Sequence, residues 1–154
     1  MDSVSRAVRS EIMSRIKQRD SGIERQLRIA LWREGLRYRK HVRMRGTPDL
    51  VLRRARILIF VDSCFWHGCR FHCRKPKSNV EFWEAKILKN RRRDLAVTRF
   101  HRRRGWTVMR FWEHQLLKDH DACVSRVVSA AKTAARLYEK RNSALAARRS
   151  RDVQ

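Results

Sequence analysis

The run Ile57-Leu58-Ile59-Phe60-Val61-Asp62-Ser63-Cys64-Phe65-Trp66-His67-Gly68-Cys69-Arg70-Phe71-His72-Cys73 decides how the rest of the chain is read. Its first five residues are continuously apolar and rich in β-branched types, the pattern of a buried strand. After them come ten positions dense in sulfur, imidazole and aromatic rings, so the chain leaves a sheet for a loop of the kind that commonly carries function. Just upstream, Gly46-Thr47-Pro48-Asp49 makes a turn feeding Leu50-Val51-Leu52. The basic spacer Arg53-Arg54-Ala55-Arg56 follows, which predicts a hairpin with Asp49 at its entrance.

Working outward, Ser21 with Glu24 three residues later has the form of a capping box. The helix it opens carries Ile23, Leu27, Ala30 and Leu31 and stops at Gly35. Before it, Arg6 to Lys17 sets Val8, Ile12 and Ile16 among arginines, a short helix with one apolar stripe and a basic face suited to phosphate. After the loop, Glu81 to Arg104 again has helical spacing. Trp83, Ile87, Asn90 and Asp94 fall at i, i+4, i+7 and i+11, which puts two polar side chains on an inward stripe. Gly105 ends that helix, Trp106 to Trp112 has strand composition, and Glu113-His114 stands at its end. From Ala122, the residues Val124, Val127, Val128, Ala131 and Tyr138 describe a closing helix. Residues 141–154 form a basic Ala/Arg-rich tail expected to be flexible. No repeat or linker divides the chain, so residues 1–140 are expected to form a single α/β domain, a central mixed sheet of three short strands with about four helices.

Lysine and arginine number 39 against 15 acidic residues, a formal charge of +24 in 154 residues, and so dense a cation calls for a polyanion, with nucleic acid first. Charge alone fits a structural nucleic-acid binder as well as an enzyme. The polar N-terminus and the lack of any long apolar run predict neither signal peptide nor membrane span, and hence an intracellular protein. There thiols stay reduced, and three of the four cysteines lie within ten residues of one another, which favours metal ligation over disulfides. Cys123, far off, reads as a packing residue.

Cys64, Cys69 and His72, with His114 from the neighbouring strand end, have the donor types of a structural tetrahedral Zn²⁺ site, and Cys73 rivals His72. The competing reading is ordinary buried cysteines and surface histidines. Asp49 is aimed from a turn preset by Pro48, and Glu24, Asp62 and Asp94 are the other acids on elements expected to converge there. Carboxylates gathered in so basic a chain suit Mg²⁺ bound for phosphodiester hydrolysis, with one or two ions. Asp49 could equally be a plain turn residue, and Glu24 could simply bond the Ser21 amide. His67 has the chemistry to activate water or assist a leaving group. It also fits a zinc ligand or a phosphate contact. Phe65 and Trp66 are adjacent and cannot both point inward from a loop. With Trp83 they read as apolar wedges of the type that part base steps in a distorted duplex.

The segments Arg9-Ser10-Glu11-Ile12-Met13-Ser14-Arg15, Gly46-Thr47-Pro48-Asp49, Phe60 through Cys69, Pro76-Lys77-Ser78-Asn79, Phe82-Trp83, Lys86-Ile87, Asn90, Arg93-Asp94, Gly105-Trp106 and Trp112-Glu113-His114 come in the order and spacing of one family. Over residues 6 to 116 the chain resembles the very short patch repair DNA mismatch endonucleases. The resemblance implies a restriction-endonuclease-like fold and a strand-specific nick 5′ of the thymine in a T:G mismatch, the lesion left when 5-methylcytosine deaminates. It implies Mg²⁺ on Asp49 and on the backbone carbonyl of Val61, His67 as catalytic histidine and Glu24 as an active-site acid. Asp62, with Asp94, is implied to act on the metal through water. Phe65, Trp66 and Trp83 would enter the duplex, Arg9, Arg15, Lys86, Asn90 and Arg93 would contact DNA, and Cys64, Cys69, His72 and His114 would hold the structural zinc. A functional link to a cytosine-5 methyltransferase and to mismatch-repair and resynthesis proteins follows, in a monomeric protein of the bacterial cytoplasm associated with the nucleoid. Two departures stand out. No E-x-K lies between Ile57 and Ser63, and Asp62 stands where some relatives carry histidine. The alternatives are a zinc-stabilised non-catalytic DNA-binding protein and a nuclease of the same fold with another DNA substrate.

Overall fold

A strand alternates its side chains between two faces, and in this protein that alternation separates a purely apolar layer from a chemically active one. The computed structural model describes residues 21–74 and 76–151. The helix expected over 6–17, with Arg9 and Arg15, lies outside the described residues. The elements in order are α1 (Gly22–Arg33), β1 (Arg39–Lys40), β2 (Leu50–Leu52), β3 (Ile57–Asp62), α2 (Val80–Arg102), β4 (Thr107–Trp112), α3 (Glu113–Lys118) and α4 (His120–Arg151).

The sheet is four-stranded and mixed, in the order β1-β2-β3-β4. The expected hairpin is present: β2 and β3 run antiparallel with Leu50 opposite Ile59 and Leu52 opposite Ile57. β4 lies parallel to β3, from Ile57 beside Thr107 to Asp62 beside Trp112. A parallel neighbour requires a long crossover, and α2 supplies it. Two elements go beyond the expected layout. β1 pairs Arg39 with Val51 and Lys40 with Leu50, in the basic stretch between α1 and the Gly46 turn. Both its side chains are exposed, so it has no apolar period to betray it, and its charge discourages further edge pairing. The short α3 turns the chain from the end of β4 into α4.

On one face of the sheet Leu50, Leu52, Ile57, Ile59 and Phe111 pack against Leu27 and Leu31 of α1, Leu116 of α3, and Cys123, Val124 and Val127 of α4. Each such fully buried aliphatic side chain contributes roughly 1.5–3 kcal/mol, and this layer is the main anchor of the fold. On the other face Val51, Leu58, Phe60 and Val108 meet Val97 of α2. Continuing the same alternation by two residues from Val51, Phe60 and Val108 reaches Asp49, Asp62 and Arg110. The α2-side layer therefore begins apolar and ends in charge, and that end is where the site lies.

Ser21 caps α1, its Oγ accepting from the Glu24 N–H at 3.2 Å, and its hydroxyl donates back to Glu24 Oε1 at 3.1 Å. The box thus closes side chain to side chain. Buried residues of α4 stop at Ala131, with Leu137 and Tyr138 exposed, and the backbone stays helical to Arg151 through most of the stretch expected as a tail. Among the described residues, no helix is long and apolar enough to cross a membrane.

Candidate active site

One face of α2 holds nearly every loop that matters. Gly68, at φ +66°, lies so close to Ile87 that an added Cβ would stand 2.5 Å from its Cγ2. Gly46, at φ +81°, lies against Val97 inside van der Waals range for any side chain. Between these two approaches, Asn90 Nδ2 donates to the Trp66 carbonyl at 2.9 Å and Asp94 Oδ2 meets His67 Nδ1 at 2.5 Å. One turn past Val97, buried His101 uses Nε2 on the Arg45 carbonyl at 2.8 Å. The inward stripe expected at Trp83, Ile87, Asn90 and Asp94 is thus real, and it continues through Val97 and His101.

The carboxylates gather opposite that stripe. Glu24, Asp49, Asp62, His67, Asp94 and Arg110 all line one cleft of about 430 Å³. The Asp49 amide donates to the Ile59 carbonyl at 3.0 Å, which extends the β2–β3 ladder, and its Oδ2 accepts from the Val61 N–H at 2.7 Å. Burial, aided by the charges of Glu24 and Asp62, pushes the Asp49 carboxyl up to about 6 against that hydrogen bond and the charge of Arg110. A half-buried acid crowded by two others is poised to accept a hard divalent cation, because oxygen ligands of one sign are what such ions require. The chemistry of the Asp49 carboxylate therefore suits a hard divalent ion such as Mg²⁺.

Asp62 is buried and gripped by Arg110, with Nε donating to Oδ2 at 2.7 Å and Nη2 to Oδ1 at 2.5 Å. Burial alone would raise the Asp94 carboxyl, but the His67 hydrogen bond and charge, with Arg110 and Arg93, hold it below the usual carboxylate range. Asp94 stays ionised, so it fixes His67 through Nδ1 and leaves Nε2 for proton transfer.

A second cluster stands just past the same end of β3, beside the cleft. Cys64, Cys69, His72 and His114 place one donor atom each within 4.8 Å of all the others. Cys64 Sγ is 3.2 Å and Cys69 Sγ 3.6 Å from His114 Nδ1, and Cys69 Sγ is 3.7 Å from His72 Nδ1. Zinc bonded tetrahedrally to sulfur and nitrogen gives ligand–ligand edges of about 3.3–3.8 Å, so the tetrad fits that ion. Desolvation, then the His72 and Lys118 charges, hold the His114 imidazole below its usual range, toward the neutral form that ligates metals. Cys73 lies outside the tetrad, its Sγ turned to the Phe65 carbonyl at 3.6 Å.

Phe65, Trp66 and Trp83 form the third feature. Their ring centroids lie 4.9, 5.3 and 5.9 Å apart, none of the rings is buried, and Lys86 Nζ lies 5.2 Å from Trp66 and 5.8 Å from Trp83. Lys86, Asn90 and Arg93 line the same cleft as the acids. The expected site residues within the described chain therefore converge on two adjoining centres, and Arg9 and Arg15 lie outside it.

Two residues of the site escape sequence reading. Arg110 is one. The other is Glu113, whose Oε2 accepts from the Cys64 N–H at 2.8 Å and so ties the cysteine loop to the cleft it also lines. For Arg110 a signal was present: it stands two residues after Val108 on a strand, an inward position where a guanidinium needs a carboxylate.

Residues 1–75 match the family model described as DNA mismatch endonuclease Vsr. The chain is 41% identical over 101 residues to the type II nicking enzyme V.NmeDIP of Neisseria meningitidis serogroup C, covering 64% of this chain and 68% of that protein. It is 42% identical over 102 residues to the type II nicking enzyme V.HpaIIP of Haemophilus parainfluenzae, covering 63% and 72%. It is 39% identical over 97 residues to the DNA mismatch endonuclease Vsr of Escherichia coli K12, covering 60% and 61%.

Proposed function

The chain belongs to the Vsr family of DNA mismatch endonucleases, and on that premise we propose that it nicks one strand of duplex DNA 5′ of the thymine in a T:G mismatch. The observation that carries the reading is the convergence, in one cleft beside an aromatic cluster, of Asp49 with Glu24 and of His67 with Asp94.

Asp49 and the Val61 carbonyl would hold Mg²⁺, with Glu24 as an acid of the same cleft, and the ion would supply a water of lowered pKa and positive charge against the developing phosphorane. Asp49 is kept in place by the Val61 N–H. Asp94 fixes the ring of His67, so that a proton moves at Nε2 beside the scissile phosphate. Lys86 and Arg93 neutralise the backbone around that phosphate. Phe65, Trp66 and Trp83 take the place of stacked bases, and the unstacking they compensate is smallest at a mismatch, which supports selectivity. Cys64, Cys69, His72 and His114 would hold a structural Zn²⁺ that ties the loop carrying His67 to the end of β4. Action on bacterial cytoplasmic DNA as a monomer, and a functional link to a cytosine-5 methyltransferase and to resynthesis proteins, belong to the same proposal.

The test is a nicking assay with Mg²⁺ on end-labelled duplexes differing only in T:G, U:G or C:G at one position, with the Asp49→Ala protein alongside. Single-strand cutting at T:G that disappears in the variant is expected. Tight binding without any cut in the wild type would point instead to a zinc-stabilised binder, and equal cutting of C:G duplexes to a nuclease of another specificity.

A further inference from the structure

We infer that Arg110 is a positioning residue of the site, and that through it Asp62 serves as an anchor for the His67–Asp94 pair and not as a metal ligand. The inference rests on the endonuclease reading for its catalytic consequence and on geometry alone for its structural one. Arg110 takes both oxygens of Asp62, at 2.7 and 2.5 Å, and the same Nη2 reaches Asp94 Oδ1 at 3.4 Å. Asp94 uses its other oxygen on His67 Nδ1 at 2.5 Å. One guanidinium therefore bridges two carboxylates, and its second carboxylate orients the imidazole. The fork is held over Phe60, with Cζ 4.7 Å from the ring centroid, and a planar two-point grip of this kind fixes direction as a lysine cannot.

Charge separates Asp62 from Asp49. The Asp49 carboxylate accepts one backbone hydrogen bond and faces two like charges, which a cation would relieve. Asp62 already has its cation, delivered by the protein. Fold stability does not explain the arrangement, since Arg110 Nη1 is buried with no hydrogen-bond partner among the described residues. Apolar side chains in place of both Arg110 and Asp62 would avoid that cost.

Two measurements test the inference. In single-turnover nicking of a T:G duplex, Arg110→Met and Arg110→Lys should each lower the rate roughly 10- to 100-fold. Duplex affinity should stay at the wild-type value, and in Arg110→Lys, which keeps the charge beside Asp49, so should the half-maximal Mg²⁺ concentration. The Asp62→Asn/Arg110→Met double variant should lose no more than its worse single parent, as residues acting in one unit do. An Asp62→Asn protein that needs more Mg²⁺, or losses that multiply, would overturn the inference, as would wild-type rate in Arg110→Lys. The second measurement needs neither DNA nor Mg²⁺. The low-field ring-proton signal of His67, given by its hydrogen bond to Asp94, should be present in the wild type and lost in Arg110→Met. If Arg110→Met does not fold, Arg110→Lys should shift the signal upfield. A signal indifferent to the substitution overturns the inference, even in a protein that cuts no duplex and whose endonuclease reading has failed on its own.

Discussion

Asp49 stands under two opposed demands, because the crowding that suits it to a cation works against the fold. Its carboxyl is raised from 3.8 to about 6 by burial and by its acidic neighbours. A raised carboxyl means that the folded state binds protons more tightly than the unfolded one. Its stabilising contribution is complete below the ordinary carboxylate range and is lost as pH rises through about 6. At neutral pH the ionised group is thus a net cost, on the order of 1–3 kcal/mol. Asp49→Asn keeps an oxygen for the Val61 N–H and should be more stable than wild type by that amount in urea melts at neutral pH without divalent cations. The gap should close in acid, and nicking should be abolished. Asp94→Asn makes the complementary case: loss of the ionised partner of His67 should cut the nicking rate roughly 10²-fold or more while duplex binding holds. Asp49 and His67 could be read from sequence because Pro48 and the cysteine-rich loop mark their surroundings. Arg110 was harder to read, for it is one of 39 basic residues and its only signal is an inward strand position that brings it to Asp62.

Among the elements, α2 is the one on which the site is assembled, and its approaches to the loops are close enough to be broken by single methyl groups. Gly46 and Gly68 sit at positive φ directly on Val97 and Ile87. Gly46→Ala and Gly68→Ala should each destabilise the protein on the order of 1–3 kcal/mol through backbone strain together with overpacking, measured as shifted urea midpoints. Gly68→Ala should also lower activity, since Gly68 lies between His67 and Cys69. The cysteine loop gives a second element-scale expectation. From Ser63 to Arg74 its only buried residue is Cys69, so packing contributes little and a bound ion would contribute most of its order. Cys69→Ser and His114→Ala should lose about one equivalent of zinc by elemental analysis, with a lowered melting midpoint. Cys73→Ser, outside the tetrad, should retain the metal. The α2 stripe was legible because helical spacing repeats over several turns. β1 was not, because two exposed basic residues on an edge carry no pattern, and the choice between His72 and Cys73 depended on how the loop folds back.

For the whole molecule, the excess of 24 positive charges must be carried on a body whose core needs none of it. The apolar layers close by Ala131, while lysines and arginines occupy the surface around the cleft and the stretch of α4 from Lys132 to Lys140. Duplex binding should therefore be governed by counterion release, falling by about 10³ to 10⁵ between about 50 and 200 mM salt if roughly six to ten phosphates are engaged. The same reasoning assigns a role to the last segment. Residues 141–154 contain Arg141, Arg148, Arg149 and Arg151 against Asp152, a net +3 of the total +24. Removing them should leave the melting midpoint unchanged, because the apolar layers close by Ala131 and the side chains over 132–140 are not buried. If their arginines reach phosphate, the slope of log affinity against log salt should shrink by about 0.9 for each phosphate no longer neutralised. The effect should be the same for matched and mismatched duplexes, since arginines on phosphate read no base. An unchanged slope would confine binding to the cleft and the helices beside it; a weakening restricted to the mismatched duplex would mean that the tail helps to distort the DNA.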